Sequence, residues 1–171
     1  MARHDDQHGK HDRRVKTNAM RALDAHKVPY DTFTYASTIH SANEVAGLLG
    51  VPASEVYKTL VLVTGDARHL LVVVPGDSEV DLRLLSHALG VKSVQMAPQR
   101  EAERLTGLLV GGISPLALLG RPFEVYVDAR AADLEYLYIN GGQRGVNIHL
   151  RVADLLAITG ARLVAATQRP A

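Results

Sequence analysis

The stretch E-V-Y-K-T-L-V-L-V-T-G, Glu55 to Gly65, decides the fold. Leu60 to Val63 form a short apolar run of strand length. After Gly65-Asp66-Ala67-Arg68 a second such run follows, H-L-L-V-V-V-P, His69 to Pro75. Two apolar runs joined by a short link containing glycine predict a β-hairpin over 58–75. A hairpin at the centre of the chain argues against a simple doubly wound parallel sheet. Lys58 and Thr59 stand at the mouth of the first run. Lys58 has two readings. One is a strand-end lysine whose stem packs and whose ammonium reaches water. The other is an ammonium held at the rim of a pocket, facing a phosphate, a ribose hydroxyl or a carbonyl oxygen.

Outward from the hairpin, helical and strand patterns alternate irregularly. Thr17 caps a helical pattern that reaches Lys27, and Pro29 ends it. Residues 30–35, Y-D-T-F-T-Y, alternate as a strand. Ser41 and Glu44 form a capping box for a helix that Gly50 closes. Helices are predicted over 79–90, 98–107 and 152–160. Strands are predicted over 91–96, 123–128, 134–139, 146–150 and 162–166. No repeat or linker divides residues 17–168, so the expected organisation is one α/β domain over 17–171. Residues 1–16 are polar and carry His4, His8 and His11 without acidic or cysteine partners at ligand spacing. They are expected to form a disordered tail.

Composition sets further bounds. The chain has 171 residues, 47% hydrophobic and 22% charged, with no tryptophan. There is no cysteine, which excludes disulfides, cysteine-based zinc sites and a cysteine nucleophile. No segment reaches the roughly 18 apolar residues of a membrane helix, and the N-terminus lacks a signal-peptide core. A cytoplasmic protein is the expectation. A net charge of +1 gives no global field for nucleic acid, so an RNA partner would need a local patch. Arg83, Lys92, Arg100, Arg104, Arg121, Arg130, Arg144 and Arg151 are its candidates, although most of them read as solvated surface.

Two glycine-rich segments could serve a site. In Thr106 to Pro115, T-G-L-L-V-G-G-I-S-P, the glycines Gly107, Gly111 and Gly112 permit positive φ and close approach to a ligand. It is neither a Walker loop nor a dinucleotide fingerprint. In Asn140 to Gly145, N-G-G-Q-R-G, the simplest reading is a hairpin turn. Three glycines exceed what such a turn needs, and Asn140 and Arg144 there could meet a ligand. Ser114 lacks the elbow of a hydrolase nucleophile. His69, His87 and His149 are scattered, and Asp128 ends a strand, at a position common to sites and turns alike. No metal or cofactor site is expected. An enzyme built from these parts works by positioning and backbone electrostatics.

Taken in order, V-Y-K-T-L (56–60), T-G-L-L-V-G-G-I-S-P-L (106–116) and G-G-Q-R-G-V-N-I (141–148) resemble the YbaK family of aminoacyl-tRNA deacylases, relatives of the editing domain of bacterial prolyl-tRNA synthetases. The resemblance covers about residues 18–165. It implies a single domain with a mixed, largely antiparallel, partly barrel-like sheet flanked by helices. It also implies hydrolysis of the ester between a wrong amino acid and tRNA, best known as removal of cysteine from prolyl-tRNA. Matched by position, Lys58 is the functional lysine and Thr59 its neighbour. Tyr35 lines the pocket, and Gly111 and Gly112 face the substrate carbonyl. Gly107, Ser114, Asn140, Gly141 and Asn147 complete the expected substrate contacts. The implied partners are the acceptor end of aminoacyl-tRNA and prolyl-tRNA synthetase. The attacking group is water, a ribose hydroxyl or, for cysteine, the substrate thiol. Three positions depart from the cysteine-specific pattern. Ser41 or a neighbour replaces a phenylalanine, Asn140 a serine and Asn147 an aspartate. These departures bear on which amino acid is removed, and they also motivate a second reading, a non-catalytic binding module acting beside a synthetase.

Overall fold

The computed structural model describes residues 16–39 and 41–168. The expected tail, Lys16 apart, lies outside the described residues. Among the described residues, five α-helices surround one sheet of eight strands. The helices are α1 (Asn18–Ala25), α2 (Ala42–Leu49), α3 (Leu82–Leu89), α4 (Gln99–Thr106) and α5 (Val152–Thr159). The strands are β1 (Asp31–Thr34), β2 (Val56–Thr64), β3 (His69–Pro75), β4 (Val94–Met96), β5 (Glu124–Asp128), β6 (Tyr136–Asn140), β7 (Val146–Arg151) and β8 (Arg162–Val164). Short 3₁₀ turns lie at Ala53–Glu55, Pro115–Ala117 and Ala129–Asp133.

The expected hairpin is the sheet's axis. β2 and β3 pair antiparallel from Tyr57↔Pro75 to Val63↔His69. The strand order is β1-β7-β6-β2-β3-β5-β8, with β4 also on β2. The pairs β1–β7, β6–β7, β2–β3 and β2–β4 are antiparallel, and β2–β6, β3–β5 and β5–β8 are parallel. The path runs open from β1 to β8, a mixed sheet of the expected kind.

Because strand side chains alternate, β2 serves two cores. Tyr57 and Val61 face α1, α4 and α5, where they join Met20, Leu23, Ala102 and Leu155. Val56, Leu60 and Leu62 face α2 and α3, beside Val45, Ala46 and Leu85. A strand buried on both faces reads as a continuous apolar run, which is why Leu60–Val63 stands out in the sequence.

Several ends are shorter than the sequence pattern. The Val91 N–H donates to Ser86 O beyond Gly90, so the helix cap consumes residues that look like strand, and β4 begins at Val94. Asp81 is the N-cap of α3 rather than part of it, accepting from the Leu84 N–H at 2.9 Å. Past β8, the N–H groups of Ala166 and Thr167 turn onto Asp128 instead of continuing a ladder. Thr17 and Ser41 cap α1 and α2 as expected, accepting from the N–H groups of Met20 and Glu44 at 3.2 Å each.

Candidate active site

On one edge, β2 has two different neighbours. β6 pairs with Val56 and Tyr57 only. β4 pairs from Leu62 onward, and the Ala97 N–H reaches Val61 O at 2.9 Å. Between them, Lys58, Thr59 and Leu60 have no strand alongside among the described residues. A cavity of about 220 Å³ opens in that gap. Successive strand residues point to opposite faces, so Lys58 and Thr59 share one cavity only because the sheet is interrupted beside them.

Register brings the distant motifs together. Val56 pairs with Tyr138, so Lys58 and Asn140, two residues further along, fall on the same face. Asn140 pairs with Asn147, and Asn147 with Phe33. Lys58, Asn140 and Asn147 therefore form one cross-strand row, and all three line the cavity. Lys58 is 29% exposed at the rim, and its Nζ lies 3.9 Å from Oε1 of Glu79, itself 96% exposed. An ion pair so open to water restrains the ammonium little.

The two glycine segments are locked to each other. Asn140 Nδ2 donates to Gly111 O at 2.5 Å, while its Oδ1 accepts from the Gly142 N–H at 2.7 Å. Arg144 Nε donates to Val110 O at 2.7 Å. A Cβ on Gly112 would come within 2.9 Å of Arg144 N, so the turns touch backbone to backbone there. Gly111, at φ 89°, lines the cavity. The Gly112 N–H is occupied by Leu109 O at 2.7 Å, whereas among the described residues no acceptor takes the N–H of Gly111.

The opposite wall is the start of α2, where Ser41, Ala42 and Asn43 line the cavity together with Tyr35 and Gly76. A Cβ on Gly76 would sit 2.6 Å from Ala42 Cβ and 2.7 Å from Val56 O, so only glycine lets α2 approach β2 this closely. Burial pushes the Tyr35 hydroxyl's pKa above its usual value, and a hydrogen bond from Asn147 partly opposes the shift. Among the described residues, two buried side-chain oxygens have no hydrogen-bond partner, Thr59 Oγ1 and Asn147 Oδ1, and both residues line this cavity.

Of the expected contact residues, Tyr35, Lys58, Thr59, Gly111, Asn140 and Asn147 meet at the cavity. The others stand outside its lining. Gly107, at φ 71°, ends α4. Gly112 buttresses the 140–145 turn, and the Gly141 N–H closes that turn on Val146 O. Ser114 is fully buried, and its Oγ accepts from the Leu116 N–H to cap the Pro115–Ala117 turn. Arg144, a candidate for phosphate, also stands outside this lining and gives its Nε to the glycine loop. Asp128 is a structural anchor, accepting from Ala166 N, Thr167 N and Thr167 Oγ1 at 3.0–3.1 Å. Sequence reasoning missed Gly76, Asn43, Val110 and Ile113. Pro75-Gly76 at a strand end was the available signal for Gly76, but nothing local placed it against α2.

Residues 36–158 match the family model described as the aminoacyl-tRNA editing domain. A protein of Enterococcus faecalis named as a Cys-tRNA(Pro)/Cys-tRNA(Cys) deacylase, EbsC, is 35% identical over 156 residues, 90% of this chain and 94% of that one. A proline–tRNA ligase of Acidithiobacillus ferrooxidans is 34% identical over 60% of this chain, which spans 20% of the ligase. Among solved structures, the hypothetical protein APE2540 superposes with a TM-score of 0.81 at 26% identity, covering 88% of this chain and 99% of its own. A protein whose structure is described as that of a trans-editing enzyme for prolyl tRNA synthetase shares the fold, with a TM-score of 0.76 at 23% identity over 91% of this chain and 99% of its own. With a cavity assembled from all three motifs and a family match over most of its length, the chain belongs to the aminoacyl-tRNA editing domain family.

Proposed function

We propose that this chain hydrolyses, in trans and in the cytoplasm, the ester joining a wrongly attached amino acid to the terminal ribose of tRNA. One observation carries the reading: Thr59 and Asn147, each with a buried side-chain oxygen that lacks a partner among the described residues, line one cavity beside an ammonium and a glycine loop. Buried polar groups are nearly always paired, so orphans converging on a cavity mark where a ligand completes them. The cavity volume suits a small amino acid with part of the ribose.

The chemistry follows from the parts. Water adds to the acyl carbon, with the vicinal ribose hydroxyl beside it to orient it. The carbonyl oxygen becomes an oxyanion facing the Gly111 N–H, the loop donor that no internal acceptor takes. Lys58 orients the ribose or its phosphate and offsets the developing negative charge. As the acyl–oxygen bond breaks, the proton of the attacking O–H passes to the leaving ribose oxygen. With a cysteinyl ester the substrate thiol is an alternative nucleophile. The kinship with part of proline–tRNA ligases supports tRNA(Pro) as the carrier and prolyl-tRNA synthetase as the source of the error.

The test is a panel of tRNAs charged with Cys, Ala, Ser and Thr, following ester loss with the native protein and with Lys58→Ala. Hydrolysis of at least one ester, lost in the variant, is expected. No hydrolysis of any, under conditions where a deacylase of known activity works, would overturn the reading. Binding without turnover would instead identify the non-catalytic module.

A further inference from the structure

The chain has only eight aromatic side chains, two Phe and six Tyr. Four of them, Phe33, Tyr35, Tyr136 and Tyr138, belong to the β1–β7–β6 end of the sheet. There Phe33, Tyr136 and Tyr138 share one face with His149. Strand register fixes this arrangement: Tyr138 pairs with His149, Tyr136 with Arg151, and Phe33 with Asn147. The opposite face of these strands carries Leu137, Ile139, Ile148 and Leu150, all in the core. The other face packs against α2 through Tyr138, which joins the Val45–Ala46–Val56 cluster, and it carries a ladder of rings.

The rings are in contact. Phe33 and Tyr138 have centroids 5.8 Å apart. Tyr138 and His149 are 4.3 Å apart. His149 and Tyr136 stack at 5.1 Å with an interplanar angle of 21°. The Arg151 guanidinium lies 4.9 Å over the Tyr136 ring. Tyr136, at one end of the ladder, is 38% exposed, with the Arg151 guanidinium over its ring. The other end reaches the cavity. Asn140 and Asn147 line it, and Tyr138 and His149 are their next same-face neighbours along β6 and β7.

We propose that this ladder is a nucleobase-stacking track for the single-stranded 3′ end of RNA leading into the cavity; the inference rests on the function proposed above. A substrate whose terminal ribose occupies the cavity must lead its preceding nucleotides away over an adjoining surface. From the Asn140–Asn147 row to the Tyr136–Arg151 row is four residues, about 13 Å at roughly 3.3 Å per residue. That length accommodates two bases. Stacking, not phosphate pairing, holds them. Arg151 is engaged by Glu135 at 2.6 Å, and Asp31 lies 3.8 Å from His149 Nδ1. The patch therefore carries no surplus of free positive charge, and binding along it depends only weakly on salt.

The experiment compares two substrates of one amino acid, the aminoacyl-tRNA and the aminoacyl-adenosine that ends at the cavity. Tyr136→Ala is expected to raise KM for the tRNA about tenfold, to leave kcat unchanged, and to leave aminoacyl-adenosine hydrolysis unchanged. Tyr136→Phe, which keeps the ring, should behave as the native protein, and Tyr136→Leu, which keeps only apolar bulk, as the alanine variant. Anisotropy with an unacylated RNA oligonucleotide ending in single-stranded CCA should show the same order of affinities. Circular dichroism melts identify any variant that fails to fold, and the Phe–Leu contrast then decides. An unchanged KM and oligonucleotide affinity in Tyr136→Ala, or an effect confined to binding of prolyl-tRNA synthetase, would overturn the track. If the native protein hydrolyses neither substrate, the deacylase reading fails, while the oligonucleotide result still decides the track.

Discussion

Asn140 donates to the Gly111 carbonyl at 2.5 Å and accepts from the Gly142 N–H at 2.7 Å, tying the loop after α4 to the β6–β7 turn. One side chain thus sets the position of the loop that faces the cavity. Replacing it by alanine leaves a carbonyl and an N–H without partners. Asn140→Ala is expected to lower stability by about 1–3 kcal/mol and kcat by about tenfold or more. Denaturant unfolding and single-turnover deacylation check the two effects separately.

Among the described residues, Lys58 pairs only with Glu79, at 3.9 Å, and Glu79 is almost fully in water. Its removal should therefore leave the melting temperature within a degree or two. Turnover should fall on the order of 10²-fold, the scale of removing one group aimed at developing charge. Glu79→Gln should change neither quantity. A Lys58→Ala protein with native kcat would remove the lysine from the mechanism.

Gly76 is where α2 meets β2. A methyl group there would press on Ala42 Cβ at 2.6 Å and Val56 O at 2.7 Å. Gly76→Ala should cost about 1–3 kcal/mol and shift the start of α2 across the cavity mouth. The expected kinetic signature is a raised KM, whereas Gly47→Ala, in α2 with open space around its Cβ, should be neutral or slightly stabilising.

Asp128 is 1% exposed and holds the chain after β8 through two N–H groups and a hydroxyl. Asp128→Ala strands those donors and should destabilise by about 2–4 kcal/mol. Below its melting temperature the variant should retain native kcat, since Asp128 does not line the cavity.

Burial raises the pKa values of Tyr30, Tyr35 and Tyr57, that of Tyr30 to about 12, with Asp24 adding at Tyr30 and Asp128 at Tyr57. Each of these hydroxyls holds its proton more tightly folded than unfolded. Their contribution to stability is therefore complete below the ordinary tyrosine value near 10 and is lost as pH rises through the folded values. Melting temperatures should hold to about pH 10 and then fall, and Tyr57→Phe should make the fall shallower. A native and a Tyr57→Phe protein with superimposable alkaline profiles would refute the assignment.

Local patterns were legible wherever the physics is local. The capping residues Thr17 and Ser41, the glycines that end α2, α3 and α4, and the β2–β3 hairpin could all be read from neighbouring residues. Strand ends were not. Val91, Leu134 and Ala166 look like strand residues, yet their backbone groups are taken by a helix cap, by a 3₁₀ turn and by the Asp128 carboxylate.

The site divides in the same way. The sequence by itself singled out Lys58, Thr59, the glycine loop and the 140–145 turn as candidates, and the family resemblance added Tyr35 and Asn147. Their placement was decided only by tertiary structure. Register places Lys58, Asn140 and Asn147 in one row although 89 residues of chain separate the first from the last. The change of partner along β2, from β6 to β4, opens the cavity and lets Lys58 and Thr59 share it. The same packing turned Ser114 and Asp128 inward to hold the frame. A residue type states what a side chain can do, but only long-range strand pairing determines whether it faces a cavity or its own backbone.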